Sequence, residues 1–203
     1  MKTTVLTCVI GTFIVGACGR ANDGNDASPP ITDVTAAEAF VDAFYSFDRD
    51  RLAPLLSSAD ESGLRVLAYQ AWAEGGHYEI IERTPCKETE AGIVRCSITV
   101  RDDLVAALDL GWWVTDHFDL TLESGKIMSV ATSSNDPQVY HDARAWVEEH
   151  RRELVEGPCE ESPETGVRLT PGLCAAAMTQ GYLDFAASDD FPDELPPGPG
   201  SYE

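Results

Sequence analysis

The sequence predicts an α+β domain: helices first, an antiparallel sheet after them, and a helical extension toward the C-terminus. Between residues 35 and 74 apolar side chains recur at helical spacing, whereas between 78 and 132 they alternate along segments divided by the turn signals Glu90-Ala91-Gly92 and Ser124-Gly125. Helices and strands are thus segregated rather than interleaved, which argues against a βαβ layout.

The first helix opens at Thr35, which forms a capping box with Glu38, and carries the stripe Ala36, Phe40, Ala43, Phe44 and Phe47. A short helix over 50–56 follows. A third, over 61–74, sets Leu64, Leu67, Ala68, Ala71 and Trp72 on one side and stops at Gly75-Gly76. Segments 78–87 and 93–101 read as a hairpin, in which pairing Thr89 with Ile93 puts Cys86 opposite Cys96. Residues 102–110 read as a loop with one helical turn, capped by Asp102-Asp103.

A long strand then starts at Trp112 and turns at Ser124-Gly125 into a last strand over 126–132. Its inward side reads Trp112, Val114, Asp116, Phe118, Leu120, Leu122, so one carboxylate stands on the apolar face. Asp136 and Pro137 open a helix whose buried side is Val139, Ala143, Trp146, Val147, His150 and Leu154. Thr170-Pro171 opens another, in which Cys174, Met178 and Phe185 share a stripe.

With 203 residues, 43% of them hydrophobic, the chain has enough apolar material for one domain plus appendages. The formal charge of −21, from 35 acidic against 14 basic residues, repels phosphate backbones and argues against nucleic-acid binding. Residues 1–17 combine Lys2, an apolar run from Val5 to Val15 and small residues before Cys18. That is the pattern of an export signal, and the run falls short of the roughly 20 residues a spanning helix needs.

Val15-Gly16-Ala17-Cys18 also resembles the lipobox of bacterial lipoproteins, which implies a diacylglycerol on Cys18 and a membrane anchor on the exported side, at the cell surface or in the periplasm. An ordinary secretory signal is the alternative. Residues 18–34 then form a Gly-, Asn- and Pro-rich tether, 35–134 the α+β domain, 135–188 the helical extension and 189–203 an acidic, proline-rich tail expected to be disordered. Cys8 leaves with the signal. Cys86, Cys96, Cys159 and Cys174 remain, an even count that reads in an oxidising compartment as two disulfides with three possible connectivities, Cys86–Cys96 with Cys159–Cys174 preferred.

The element order over 35–133, with AEAFVDAFYSFDRDRL in the first helices and FDLTLESGKIMSV in the last hairpin, resembles the nuclear transport factor 2-like (SnoaL-like) superfamily. The resemblance implies a curved antiparallel sheet wrapped on the N-terminal helices around a cone-shaped cavity. It implies no single function, because members include isomerases, cyclases, dehydratases and proteins without chemistry. Asp116-His117-Phe118 resembles the strand of the ketosteroid isomerases that carries a neutral aspartic acid. Three departures weaken that activity. The spacing from Asp116 to Gly125 is one residue longer, Phe40 stands where a tyrosine is expected, and the stretch that bears the catalytic base is missing.

Two function classes follow. In the first, a lipid-anchored domain binds a small apolar molecule or a protein partner without catalysis, its pocket lined by Tyr69, Trp72, Tyr78, Trp112 and Phe118. In the second, Asp116 and His77 act as an acid–base pair in a cyclase, dehydratase or isomerase. His141 and His150, half a turn out of phase, do not form a ligand pair. No Cys-x-x-Cys or EF-hand spacing points to a metal, nothing points to a cofactor, and no Gly-x-Ser-x-Gly motif points to a nucleophile.

Overall fold

A computed structural model describes residues 32–90, 92–195 and 198; the signal, Cys18 and nearly all of the tether lie outside the described residues. The described residues form one compact unit. It is α+β, with an open antiparallel sheet of five strands in the order β1 (Glu79–Arg83), β3 (Ile93–Arg101), β4 (Val114–Glu123), β5 (Lys126–Ser134), and with β2 (Lys87–Glu90) also paired to β3.

The first helix, α1 (Asp33–Phe44), starts two residues before the expected Thr35. Thr32 is its cap, accepting a hydrogen bond from the Thr35 amide at 3.1 Å. Glu38 is therefore free of capping duty, and instead its carboxylate pairs with Arg83 and accepts from the Cys86 amide. Phe40, Val41 and Phe44 are fully buried, each contributing about 1.5–3 kcal/mol relative to exposure. Asp48 caps α2 (Arg49–Leu52), which tightens into a 3₁₀ turn over Ala53–Leu56, and α3 (Ser62–Gly75) follows.

The predicted strand over 78–87 is two strands. β1 (Glu79–Arg83) and β2 (Lys87–Glu90) pair with opposite ends of β3 (Ile93–Arg101), and Thr84-Pro85-Cys86 separates them. Proline has no amide to donate to a ladder, which suits the break. The hairpin register holds at Lys87↔Arg95 and Glu88↔Val94, then shifts so that Glu90, not Thr89, faces Ile93. Cys86 and Cys96 are bridged, and so are Cys159 and Cys174. The two disulfides fit an oxidising, extracytoplasmic environment, and among the described residues no helix is long and apolar enough to cross a membrane.

After α4 (Asp103–Ala107), β4 (Val114–Glu123) and β5 (Lys126–Ser134) form the long hairpin. Ser124 and Gly125 both have positive φ, 52° and 77°, as a two-residue hairpin turn demands. A bulge between Thr121 and Leu122 accommodates an extra residue on β5, and β4 keeps its alternation throughout. Pro137 is the cap of α5 (Gln138–His150) rather than its first residue, and the helix breaks at Arg151 before α6 (Arg152–Val155).

His150 is exposed instead of packed inward, its ring stacked on Trp146 at 4.9 Å. The last helix, α7 (Pro171–Ala186), lies against α3, α4 and α5. Two glycines permit its approach to α3: a Cβ on Gly75 would sit 2.3 Å from the Gly172 carbonyl oxygen. Of the tail expected to be disordered, Phe191 packs on Phe185 with ring centroids 5.5 Å apart. Residues beyond 195, Gly198 excepted, lie outside the described set.

Candidate functional site

Alternation along β4 buries Val114, Asp116, Phe118, Leu120 and Leu122 and turns Thr115, His117 and Asp119 to the other face. The outer residues form a polar ladder with β3, in which Arg95 grips Asp119, Ser97 meets His117 at 2.8 Å and Thr99 meets Thr115 at 2.9 Å. Asp116 is held inward because a one-residue slip would exchange that whole ladder with the core. It faces Ile98 on one neighbour and Ser134 on the other.

Tyr45, at the end of α1, donates a hydrogen bond of 3.0 Å to Oδ2 of Asp116, and the Tyr69 hydroxyl of α3 is in polar contact with the same carboxyl. Burial pushes Asp116 up to about 6, although both tyrosines oppose the shift. A second carboxylate stands nearby. Asp102 is buried like Asp116, and its Oδ1 caps α4 by accepting from the Val105 amide at 2.9 Å. Among the described residues no donor makes a hydrogen bond to its other oxygen. Burial pushes it up to about 7; the Val105 amide pulls the other way, and the charge of Asp116 adds to the rise. Tyr45, Tyr69 and Tyr78 are pushed far above the usual phenol value, burial being the leading cause for each.

Asp116 and Asp102 line one open cavity of about 420 Å³. Arg65, Ala68, Tyr69 and Trp72, one face of α3, form a wall; Tyr140, His141 and Arg144 of α5 form another. Val114 and the segment Thr132 to Ser134 close the sheet side. Over the rim lies the loop between Cys159 and Cys174, which contributes Glu161, Gly166, Val167 and Arg168. That loop is built as a small hairpin, with Ser162 donating to the Val167 carbonyl at 2.8 Å and Leu169 to the Glu160 carbonyl at 2.9 Å. Arg168 lies over the Trp72 ring at 5.1 Å.

Of the side chains singled out from sequence, Asp116, Tyr69, Trp72 and Tyr78 line this cavity. His77 does not. It is exposed at the end of α3 with φ of 50°, and its Nδ1 lies 2.6 Å from Asp103 Oδ2, so it cannot serve as the partner of Asp116 in this fold. Phe118 is fully buried among Phe40, Phe44, Tyr45 and Tyr69, and Trp112 stands outside the lining.

Sequence reasoning missed Tyr45, Tyr140, Arg144 and Arg168, and took Asp102 only for a cap. Tyr45 breaks the apolar stripe of AFYSF, which was the available signal. Arg168 had none, because its place depends on which cysteines pair.

Comparisons with protein-family models, with curated proteins and with solved structures found no match.

Proposed function

We propose that the chain is an exported binding protein, tethered to a membrane through lipid on Cys18, which holds a small organic molecule in the cavity around Asp116 and Asp102. The carrying observation is Oδ2 of Asp102, a buried carboxylate oxygen without a hydrogen-bond donor among the described residues, on a side chain that lines an open cavity. An unpaired buried polar atom costs about 1–3 kcal/mol, and a ligand hydroxyl or N–H placed there removes that cost. The walls offered by Tyr69, Trp72, Tyr78 and Tyr140 suit an apolar or aromatic body. The charged ends of the cavity favour an amphipathic ligand over a wholly apolar one. The succession of three helices and two antiparallel hairpins supports a nuclear transport factor 2-like fold for 35–133, whose sheet would wrap this cavity as a cone.

Native mass spectrometry of the protein purified from its own cells tests the binding reading. The expected result is a copurifying small molecule that is lost from the Asp102→Ala variant. A ligand-free wild type that also binds nothing from a cell extract counts against it. For the anchor, Cys18→Ser is expected to move the protein from the membrane to the soluble fraction, and unchanged fractionation refutes lipidation.

A second reading, a cyclase, dehydratase or isomerase, draws support from two buried carboxyls raised to about 6 and about 7, the range for proton transfer at neutral pH. Asp102 then takes the role that His77 cannot fill. Recovery of the ligand chemically unchanged after prolonged incubation between pH 5 and 8 removes this reading and leaves the first.

A further inference from the structure

The charge of the ligand is written in the arginines of the cavity. Four arginines of the described chain are half-buried, and three of them are answered by carboxylates: Arg83 by Glu38 and Asp42, Arg144 by Glu148, and Arg151 by Glu153 and Asp184. Arg168 is the exception. Among the described residues no carboxylate lies within 4.0 Å of it, and its Nε is buried without an acceptor. In a chain with 35 acidic residues and 14 basic ones, an arginine without an ion-pair partner is not explained by a shortage of carboxylates.

Its setting is built rather than loose. The Cys159–Cys174 bridge and the hairpin inside it fix the backbone on either side of Arg168, and the Trp72 ring supports the plane of its guanidinium. Arg144 lines the same cavity from α5, and its one ion pair among the described residues, to Glu148, is long at 3.6 Å and exposed. Arg65, the third arginine of the lining, is answered by Glu61 at 2.6 Å, which leaves Arg144 and Arg168 as the two guanidiniums free to meet a ligand at this opening. Burial holds Arg168 below its ordinary value, and the charge of Arg144 is the next cause. Glu161 also lines the opening and stands opposite Arg168 in the antiparallel bridge of the loop, where its charge favours the guanidinium without closing to an ion pair within 4.0 Å.

We propose that the cavity binds an organic acid, its carboxylate held by Arg168 and Arg144 and its hydroxyl or N–H donor held by Asp102. This rests on the binding reading above. A planar carboxylate matches the two-pronged guanidinium, and the aromatic wall between Arg168 and the buried aspartates accommodates a ring or short chain. Bound this way, the acid supplies Arg168 with its absent acceptor and Asp102 with its absent donor at once.

The test uses aryl acids paired with their methyl esters, beginning with 4-hydroxyphenylacetate, titrated calorimetrically into the full-length protein and into Arg168→Gln, Arg168→Lys and Arg144→Gln. The acids should bind about tenfold or more tightly than their esters, as expected for a charge-assisted contact, and Arg168→Gln should bring the two within about threefold. Arg168→Lys, which keeps the charge but loses the two-pronged geometry, should show a preference between those of the wild type and Arg168→Gln, which separates loss of charge from loss of fold. Acids and esters that bind equally overturn the inference and leave the binding reading standing. So does a preference for acids that survives in both glutamine variants. If neither class binds the wild type at millimolar concentration the inference falls, and the copurification experiment alone then decides the binding reading.

Discussion

The Tyr45 phenol lies 3.0 Å from Oδ2 of Asp116 and ties the end of α1 to the middle of β4, 71 residues away in sequence. This bond favours the charged form of Asp116, so removing it should raise the carboxyl further. Tyr45→Phe is therefore expected to cost about 1–2 kcal/mol at pH 8, where Asp116 is ionised, and less at pH 5, where it is protonated. Thermal melts at the two values check this. An equal loss at both would mean that Tyr45 acts by packing alone, which its edge contacts with Phe44 and Phe118 make a real competitor.

Asp102 sets the sign of a second pH effect. Its folded value, about 7, lies above the ordinary 3.8, so between those limits the folded state binds more protons than the unfolded one. Stability from this group is then complete below about 4 and is lost as pH rises through about 7. Asp116, raised to about 6, acts in the same sense. Asp119, held low first by its hydrogen bond to Arg95, acts in the opposite sense, and its contribution disappears on acidification. Asp102→Asn keeps an oxygen for the α4 cap but cannot ionise. It should gain on the order of 2 kcal/mol at pH 8, or roughly 5 °C, and almost nothing at pH 4. A variant destabilised equally at both values would show that the cap, not the charge, dominates.

What could be read from the sequence divides along physical lines. The β4 alternation and the Ser124-Gly125 turn follow from local rules, and so the inward place of Asp116 was legible before any coordinates. The Cys86–Cys96 pairing was only the preferred one of three, and it holds because the register away from the turn, Lys87↔Arg95, is as expected although Glu90 displaces Thr89 opposite Ile93. Local pattern failed where tertiary contact decided. Glu38 matched a capping box, but Arg83 and the Cys86 amide claimed its carboxylate. His77 stood near the right strand, but a positive φ and Asp103 turn it to solvent. Two of the cavity's three arginines, Arg144 and Arg168, come from α5 and the stapled loop, segments that meet α3 only after the whole unit has folded.

The crossing of α3 and α7 can be broken by one methyl group. A Cβ on Gly75 would lie 2.3 Å from the Gly172 oxygen and 2.4 Å from its Cα, both backbone atoms that cannot swing away. Gly75→Ala should therefore cost about 1–3 kcal/mol and loosen α7, seen as a lower melting temperature and faster amide exchange at residues near 172. Ala71→Gly, at a neighbouring turn of the same helix, serves as the control, since it adds no atom and costs only the helix propensity of about 1 kcal/mol. A Gly75→Ala protein no less stable than this control would show that the helices separate freely.

The Cys159–Cys174 bridge carries the last expectation, and it separates two roles that coincide in the native protein. On the chain-entropy account, closing a loop of 15 residues contributes about 3 kcal/mol, so replacing both cysteines with serine should lower the melting temperature by roughly 5–10 °C. The same change should release Arg168, the only Lys or Arg between the two cysteines, from the Trp72 ring. Trypsin then reports on the loop directly. In the native protein the Arg168–Leu169 bond lies in a hairpin over the cavity and should resist cleavage, whereas the double-serine variant should be cut there first. Replacing Cys86 and Cys96 instead should leave that bond protected, because the disulfide between them ties the segment before β2 to β3 in the sheet, away from the stapled loop. Cleavage at Arg168 in the native protein at the rate of the double-serine variant would show that the hairpin, with or without its disulfide, does not hold Arg168 in place.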